Sequence, residues 1–173
     1  MPKPLSELGD PGSTNLAQLH RWAHSRGGID AYWTLIRLVV QGRSSTPVVL
    51  QALQVEVVSG EPPSGRTLVK FQPVAGGIPV RTLNVELDRT PPTVQFEEGP
   101  GFPLRVSSGE LEVIDLLAHT ASCTCRWVAT LHFTADGESD SVTIDDHGQP
   151  FETRVPKNGY EVGFCNEGVP CRF

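Results

Sequence analysis

The clearest alternation of apolar and polar positions lies between residues 111 and 151. One apolar run ends near Phe133 and the next begins near Val142, with TADGESDS between them. Asp136-Gly137 lies in this connection, and glycine accepts the positive φ that tight hairpin loops demand. The pattern therefore predicts a β-hairpin whose core-facing positions are Trp127, Ala129, Leu131 and Phe133 on one strand and Val142 and Ile144 on the other.

The same alternation predicts strands elsewhere in the chain. In the run from 48 to 58, apolar residues alternate with polar ones, and we expect Leu53 and Val55 to face inward. The run from 111 to 119 is apolar on both faces, which is typical of a strand inside a sheet. Shorter strands are predicted at 35–40, 67–71, 83–87, 104–107 and 160–164.

One helix is predicted, over residues 14–26. Ser13 or Thr14 can cap its start, and Gly27-Gly28 can end it. The apolar positions that fall on one side of this helix are Leu16, Leu19, Trp22 and Ala23.

Seventeen glycines and 15 prolines in 173 residues suit many short strands joined by turns. We therefore expect an all-β, antiparallel β-sandwich of about seven to ten strands, immunoglobulin-like in general architecture, with one short N-terminal helix. Residues 1–12 are expected to form a flexible arm and 13–173 a single domain. The segment EEGPGFP either separates two halves, 29–96 and 102–164, or carries the chain between two sheets.

The formal net charge is −6 and no basic cluster is present, so we expect no nucleic-acid binding. No apolar stretch approaches the roughly 20 residues of a membrane helix, which argues against direct membrane insertion. The first residues, MPKPLSELGDPG, contain no signal-peptide core. A cytoplasmic location is thus the default expectation, and an extracytoplasmic one follows if an upstream anchor has been removed.

The four cysteines form two close pairs, Cys123 with Cys125 and Cys165 with Cys171. In a strand, side chains at positions i and i+2 lie roughly 6.5–7 Å apart, which makes a Cys123–Cys125 bridge awkward. The loop NEGVP can bring Cys165 and Cys171 within disulfide distance, so these two are the disulfide candidates in an oxidising compartment. Free thiols and a metal site remain alternatives.

Two histidine patterns bear on metal binding. His119, Cys123 and Cys125 form H-x3-C-x-C and are weak candidates for zinc ligands. His20 and His24 would share one helix face, as some zinc sites require, but a solvated helix face is the favoured explanation of that spacing. We therefore predict no metal and no cofactor.

Catalytic chemistry has little support in the sequence. His147 lies in DDHGQ, beside Asp145 and Asp146, but this is ordinary turn composition. No histidine lies in a G-x-S-x-G setting, so no catalytic residue is predicted. The candidate binding residues are Tyr32 and Trp33, which follow the helix, together with Asp146 and His147. For the aromatic pair, packing of Trp33 under the helix is the favoured interpretation.

Five segments resemble a family of β-rich domains from uncharacterised actinobacterial proteins: WAHSRGGIDA (22–31), VQGRSSTPVVLQALQVEVV (40–58), FPLRVSSGELEV (102–113), CTCRW (123–127) and IDDHGQPFET (144–153). The resemblance implies a β-rich fold, often downstream of a helix-turn-helix or membrane-anchor segment, and no known activity. Relatives carry a cysteine in the segment that matches 74–78, where this chain has AGG. If relatives bridge that cysteine to the Cys-x-Cys pair, this chain must pair differently, through Cys165 or Cys171.

Taken together, these patterns favour a non-catalytic binding or sensory module that contacts a protein, peptide or glycan through its loops, with a protein as the expected partner. A small metal- or thiol-dependent enzyme built on the cysteines and histidines is one alternative. A structural subunit of a larger assembly is the other, and the sequence leaves the oligomeric state open.

Overall fold

The structure, a computed structural model, describes residues 16–63, 68–71, 80–156, 161–164 and 170–171. The predicted arm, residues 1–12, and the capping residues Ser13 and Thr14 lie outside the described residues. The elements are α1 Leu16–His24, β1 Asp30–Ala31, β2 Trp33–Gln41, β3 Val48–Glu61, β4 Leu68–Phe71, β5 Arg81–Glu86, β6 Thr93–Phe96, β7 Leu104–Val106, β8 Leu111–His119, β9 Thr124–Ala135, β10 Glu138–Ile144, β11 Phe151–Arg154, β12 Glu161–Phe164 and β13 Pro170–Cys171.

Two sheets form a β-sandwich around one core. Sheet A has the order β1-β11-β9-β3-β7, and β10 also pairs with β9, beside β11. Sheet B has the order β2-β8-β5-β6. A third sheet has the order β13-β12-β4. The all-β sandwich with one short helix is thus confirmed, although the described residues hold thirteen strands, more than the seven to ten expected.

The expectation of a purely antiparallel sandwich is wrong, because three strand pairs are parallel: β1 with β11, β5 with β8, and β4 with β12. The β5–β8 pair follows from the path of the chain. After β6 the chain leaves sheet B, forms β7 in sheet A, and returns as β8 in the direction of β5. Residues 97–103, the segment EEGPGFP, therefore carry the chain between the two sheets.

The core combines side chains from both sheets, as the alternation predicts. From sheet A, Trp127 is fully buried, and Leu53, Val55 and Leu131 are also buried. Sheet B contributes the buried residues Leu83, Val85, Ile114, Leu116 and Ala118. These side chains form a single cluster, which is where most of the hydrophobic stabilisation of the sandwich lies.

Three predicted core residues are less buried than expected. Phe133 and Ile144 pack against the core but remain half-buried, and Val142 is 47% exposed. Val142 pairs with the buried Leu131, so it lies on the inner side of sheet A. It is exposed because β10 lies at the edge of sheet A, where the side chains of sheet B do not pack against it.

The hairpin between β9 and β10 turns at Asp136-Gly137, where both residues have positive φ, 52° and 84°. This is the backbone of a type I′ turn, whose twist matches that of the flanking strands. The predicted hairpin is confirmed.

Helix α1 ends at the predicted glycines. Gly27 has a φ of 75°, the Gly27 N–H donates to the His24 carbonyl, and the Gly28 N–H donates to the Ala23 carbonyl. These two bonds define a Schellman motif, which satisfies the last carbonyls of the helix. A Cβ at position 28 would lie 2.6 Å from the Ala23 carbonyl oxygen, so only glycine fits there.

Candidate functional site

The end of α1 and the start of β1 bring three potential metal ligands together. His20 and His24 lie one turn apart on the same helix face. The Schellman motif then reverses the chain, and Asp30 begins β1, where it pairs with Thr153 of β11. The helix end and the sheet edge therefore position the three side chains against each other.

A single carboxylate oxygen contacts both imidazoles. Asp30 Oδ1 lies 3.0 Å from His20 Nε2 and 3.2 Å from His24 Nε2. The two ring centroids are 4.2 Å apart. The Asp30 side chain is 14% exposed, whereas those of His20 and His24 are 50% and 40% exposed. One side of this His20–His24–Asp30 cluster thus faces the sheet and the other faces solvent.

The electrostatics of the cluster favour a charged carboxylate beside a charged imidazole. Burial alone would raise the pKa of the Asp30 carboxyl, but the hydrogen bonds and charges of His20 and His24 hold that pKa well below its usual range. The hydrogen bond to Asp30 raises the pKa of His24 above 6.5, against the opposing effect of burial. The charges of Asp30 and Asp146 raise the same pKa further.

The predicted binding residues Asp146 and His147 lie in a tight turn between β10 and β11. His147 and Gly148 have positive φ, 54° and 84°, and Asp146 forms an isolated bridge with Gln149. The Gly148 N–H donates to Asp145 Oδ1 over 2.9 Å. This geometry accounts for the DDHGQ composition as a turn, with Asp146 close enough to α1 to act on His24.

The cysteine pair at the start of β9 forms a disulfide between Cys123 and Cys125, with a Cα–Cα distance of 5.4 Å. The expectation that this spacing is awkward assumed that both residues lie in a strand. Cys123 instead precedes β9, which starts at Thr124, and the Cα–Cα distance of 5.4 Å means that the chain is not fully extended across Thr124. Cys165 lies outside the described residues, as does the side chain of Cys171, so their predicted bridge stays a prediction.

Asp88, rather than His119, lies beside this disulfide. Its carboxylate accepts hydrogen bonds from the Thr120 hydroxyl, 2.7 Å, the Ser122 hydroxyl, 2.6 Å, and the Ala121 N–H, 2.7 Å. Thr120 Oγ1 is 3.2 Å from Cys123 Sγ. Asp88 and the two sulfurs lie within metal-binding reach of each other, but sulfurs joined to each other are not the thiolates that bind zinc.

His119 belongs to a different surface. It is exposed at the end of β8, where it lines a polar groove with Asn84, Glu86, Thr93 and Gln95 on the outer face of sheet B. The weak zinc candidates His119, Cys123 and Cys125 do not together form one of the clusters of potential metal ligands among the described residues, and the two cysteines are joined in the disulfide.

Tyr32 and Trp33 are both exposed, by 41% and 51%. Tyr32 has a φ of 68° and joins the two sheets: its N–H donates to the Arg154 carbonyl, and its carbonyl accepts from the Thr120 N–H. The positive φ at Tyr32 interrupts the alternation of inward-facing and outward-facing side chains that an extended chain would have, so neither aromatic ring faces the core. The expectation that Trp33 packs under the helix is wrong.

Trp33 begins a row of exposed side chains on the outer face of sheet B. On β2, Trp33, Leu35 and Val39 are 51%, 42% and 64% exposed. The strand pairing places half-buried Leu117 and Val113 of β8 opposite Leu35 and Val39. Leu111, at the start of β8, is 50% exposed on the same side. We call the apolar surface formed by these side chains of β2 and β8 the β2–β8 face.

An ion pair interrupts the β2–β8 face at its middle. Arg37 of β2 donates two hydrogen bonds, both 2.7 Å, to the two carboxylate oxygens of Asp115 on β8. Asp115 is buried, and Arg37 covers it from the solvent side. This bidentate pair fills the middle of the surface with a polar contact and leaves apolar side chains on either side of it.

No protein-family model, curated protein or solved structure matches this chain. The resemblance to actinobacterial β-rich domains therefore stays an expectation from sequence segments alone. Among the described residues, no helix has the length and apolar character needed to cross a bilayer.

Two of these features escaped sequence reasoning. Asp30 and Asp88 each follow a strand or helix end as single acidic residues, which is common in loops. Asp88 meets partners 32 to 34 positions further along the chain, and Asp30 meets the two histidines only because the chain reverses after α1. The exposed row on β2 did have a sequence signal. The odd-numbered positions of this strand lie on one face, and they hold Trp33, Leu35 and Val39, with the polar Arg37 among them.

Proposed function

We propose that the protein is a non-catalytic binding module that takes an extended segment of a partner protein along β2. The observation that carries the proposal is the β2–β8 face itself. Clusters of exposed large apolar side chains are typical of protein-interaction surfaces. Of the seven large apolar side chains exposed among the described residues, four lie on this face: Trp33, Leu35, Val39 and Leu111.

The position of β2 favours an extended partner. β2 is an outer strand of sheet B, and the described residues place no further strand beside it in that sheet. An edge strand offers backbone donors and acceptors to an added strand, and alternate side chains supply specificity. The charged Arg37 in mid-strand limits indiscriminate pairing while the apolar residues on either side remain available.

A selection with a defined probe tests this function. Random decapeptides displayed on phage would be selected on the wild-type protein, and the enriched sequences synthesised. We expect alternating apolar positions in these peptides. Binding should fall at least about tenfold in Trp33→Ala, the size expected for a buried aromatic anchor, and in Val39→Glu.

Val142→Glu is the matched control, since Val142 is also an exposed strand valine, 47% against 64% for Val39, but lies on sheet A. It should leave binding unchanged. Equal binding to the wild type and Val39→Glu would refute the proposal. A stable dimer that Val39→Glu dissociates would show that a second copy of the chain occupies β2. Binding to a glycan array but not to peptides would show that the ligand is a sugar, with Tyr32 and Trp33 as the residues on which it stacks.

A further inference from the structure

We propose that His20, His24 and Asp30 form a binding site for a divalent transition-metal ion, with zinc as the best fit. The site lies at the junction of α1 and β1 and is separate from the β2–β8 face. The proposal therefore neither requires nor follows from the binding function above.

The distances within the cluster suit a shared ion. In tetrahedral zinc sites, metal–ligand bonds of about 2.0–2.2 Å place neighbouring ligand atoms about 3.3–3.5 Å apart. Asp30 Oδ1 lies 3.0 and 3.2 Å from the two Nε2 atoms, and the ligand atoms of all three residues lie within 4.8 Å of one another. The two Asp30–histidine distances need to lengthen by only about 0.1–0.5 Å to reach the ligand separations of a tetrahedral zinc site.

The donor set discriminates between metals. Two imidazole nitrogens and one carboxylate oxygen are ligands of zinc and of the later first-row metals. Calcium and magnesium prefer sites made of oxygen atoms alone, so neither suits a site with two imidazoles. Histidines spaced i and i+4 on a helix are also the arrangement by which helical zinc sites present two ligands on one face.

The fold holds these ligands in place before any ion arrives. The Schellman motif at Gly27-Gly28 fixes the end of α1, and the pairing of Asp30 with Thr153 fixes the start of β1. Ligands carried by rigid elements lose little conformational entropy when they bind. The exposed sides of His20 and His24 leave room for a water molecule as fourth ligand, and Asp146 adds negative charge nearby.

A purely structural cluster would behave differently. If Asp30 served only to tie α1 to β1, its replacement would lower stability, and no metal would bind with defined stoichiometry. The two roles can be separated by measuring metal affinity and folding in the same variants.

The test is isothermal titration calorimetry of the metal-stripped full chain with zinc sulfate, after removal of any affinity tag and under non-reducing conditions. We expect one zinc ion per chain. His20→Gln, His24→Gln and Asp30→Asn should each weaken binding at least about tenfold, since loss of even an outer contact to a metal ligand costs about 10- to 100-fold. His20→Gln changes a half-exposed side chain, so circular dichroism should show that its fold is retained.

His132→Gln is the matched control, because His132 contacts Gln54 on sheet A, away from the cluster. It should bind zinc as the wild type does. Absence of zinc binding, or wild-type affinity in any of the three cluster variants, would overturn the site, as would equally tight calcium binding. Cobalt(II) supplies a second readout, because a thiolate-to-cobalt charge-transfer band would place the metal on cysteines instead.

Discussion

The hydroxyl oxygens of Thr34 and Thr153 lie 2.7 Å apart in the core, and their hydrogen bond links sheet B to sheet A. Trp127 Nε1 donates to the same Thr153 oxygen over 3.0 Å. Thr153 is fully buried and Thr34 nearly so. Buried polar groups are stable only when they are paired, so these three side chains fix the two sheets in one relative position.

Thr153→Val tests this link. The substitution keeps the shape of the side chain but removes the acceptor of the Trp127 N–H and the partner of Thr34. We expect a loss of about 1–3 kcal/mol in the free energy of unfolding, measured by urea denaturation. Thr143→Val, at an exposed position on β10, should change it by less than about 0.5 kcal/mol. Equal effects of the two substitutions would contradict the structural role of the link.

Leu131 and Val142 provide a second test, because they face each other across the β9–β10 hairpin with very different exposure, 4% and 47%. Leu131→Ala should lower the free energy of unfolding by about 2–5 kcal/mol, through lost burial and a cavity. Val142→Ala should cost less than about 1 kcal/mol. A larger effect at Val142 would mean that β10 is covered in solution.

The stability of the protein should depend on pH through Asp88. Burial alone would raise the pKa of its carboxyl, but the hydrogen bonds from Ser122, Ala121 and Thr120 hold it below 3.8. A folded-state pKa below the unfolded value contributes stability above pH 3.8, and this contribution is lost as the pH falls through the folded-state pKa. The free energy of unfolding should therefore fall more steeply on acidification in the wild type than in Asp88→Asn. Parallel curves would contradict this assignment.

The cysteines can be tested by mass spectrometry of a tryptic digest prepared without reductant. Peptide 106–126 contains both Cys123 and Cys125, and we expect it to resist alkylation until it is reduced. Because the bridge closes a very short loop, Cys123→Ala/Cys125→Ala should lower stability by only about 1–2 kcal/mol. Peptide 158–172 contains Cys165 and Cys171, and the same digest tests their predicted bridge. Alkylation of Cys123 or Cys125 in the unreduced protein would contradict the disulfide.

The features that the sequence predicts correctly are those whose determining interactions are local. The turn at Asp136-Gly137 and the helix end at Gly27-Gly28 depend on the φ angles that glycine allows, and both are where the residues predict them. The burial of Trp127 and Leu131 follows from the alternation of side chains between the two faces of a strand, which is also a local property.

The parts that could not be predicted depend on distant partners. The Thr34–Thr153 pair is separated by 119 positions, and either threonine alone fits an exposed strand. The exposure of Val142 depends on how far sheet B reaches, not on its own strand. Asp30 meets the two histidines across the chain reversal that follows α1, and its pairing with Thr153 of β11 anchors β1 to sheet A. The histidine spacing therefore indicates two of the three ligands of the candidate metal site, but nothing in the sequence indicates the carboxylate.

The strand order of the sandwich also determines when the protein can fold during synthesis. β2 pairs with β8, and β3 pairs with β7 and β9. Strands that are synthesised early therefore pair only with strands that are synthesised much later. Pairing between distant segments is slow, and unpaired strand edges are prone to aggregation. In a nascent chain of about 100 residues, β7, β8 and β9 have not yet been synthesised, so β2 and β3 lack the partners that they have in the two sheets. Stable folding of the sandwich should therefore begin only once β8 and β9 have emerged from the ribosome, because these strands are the pairing partners of β2 and β3.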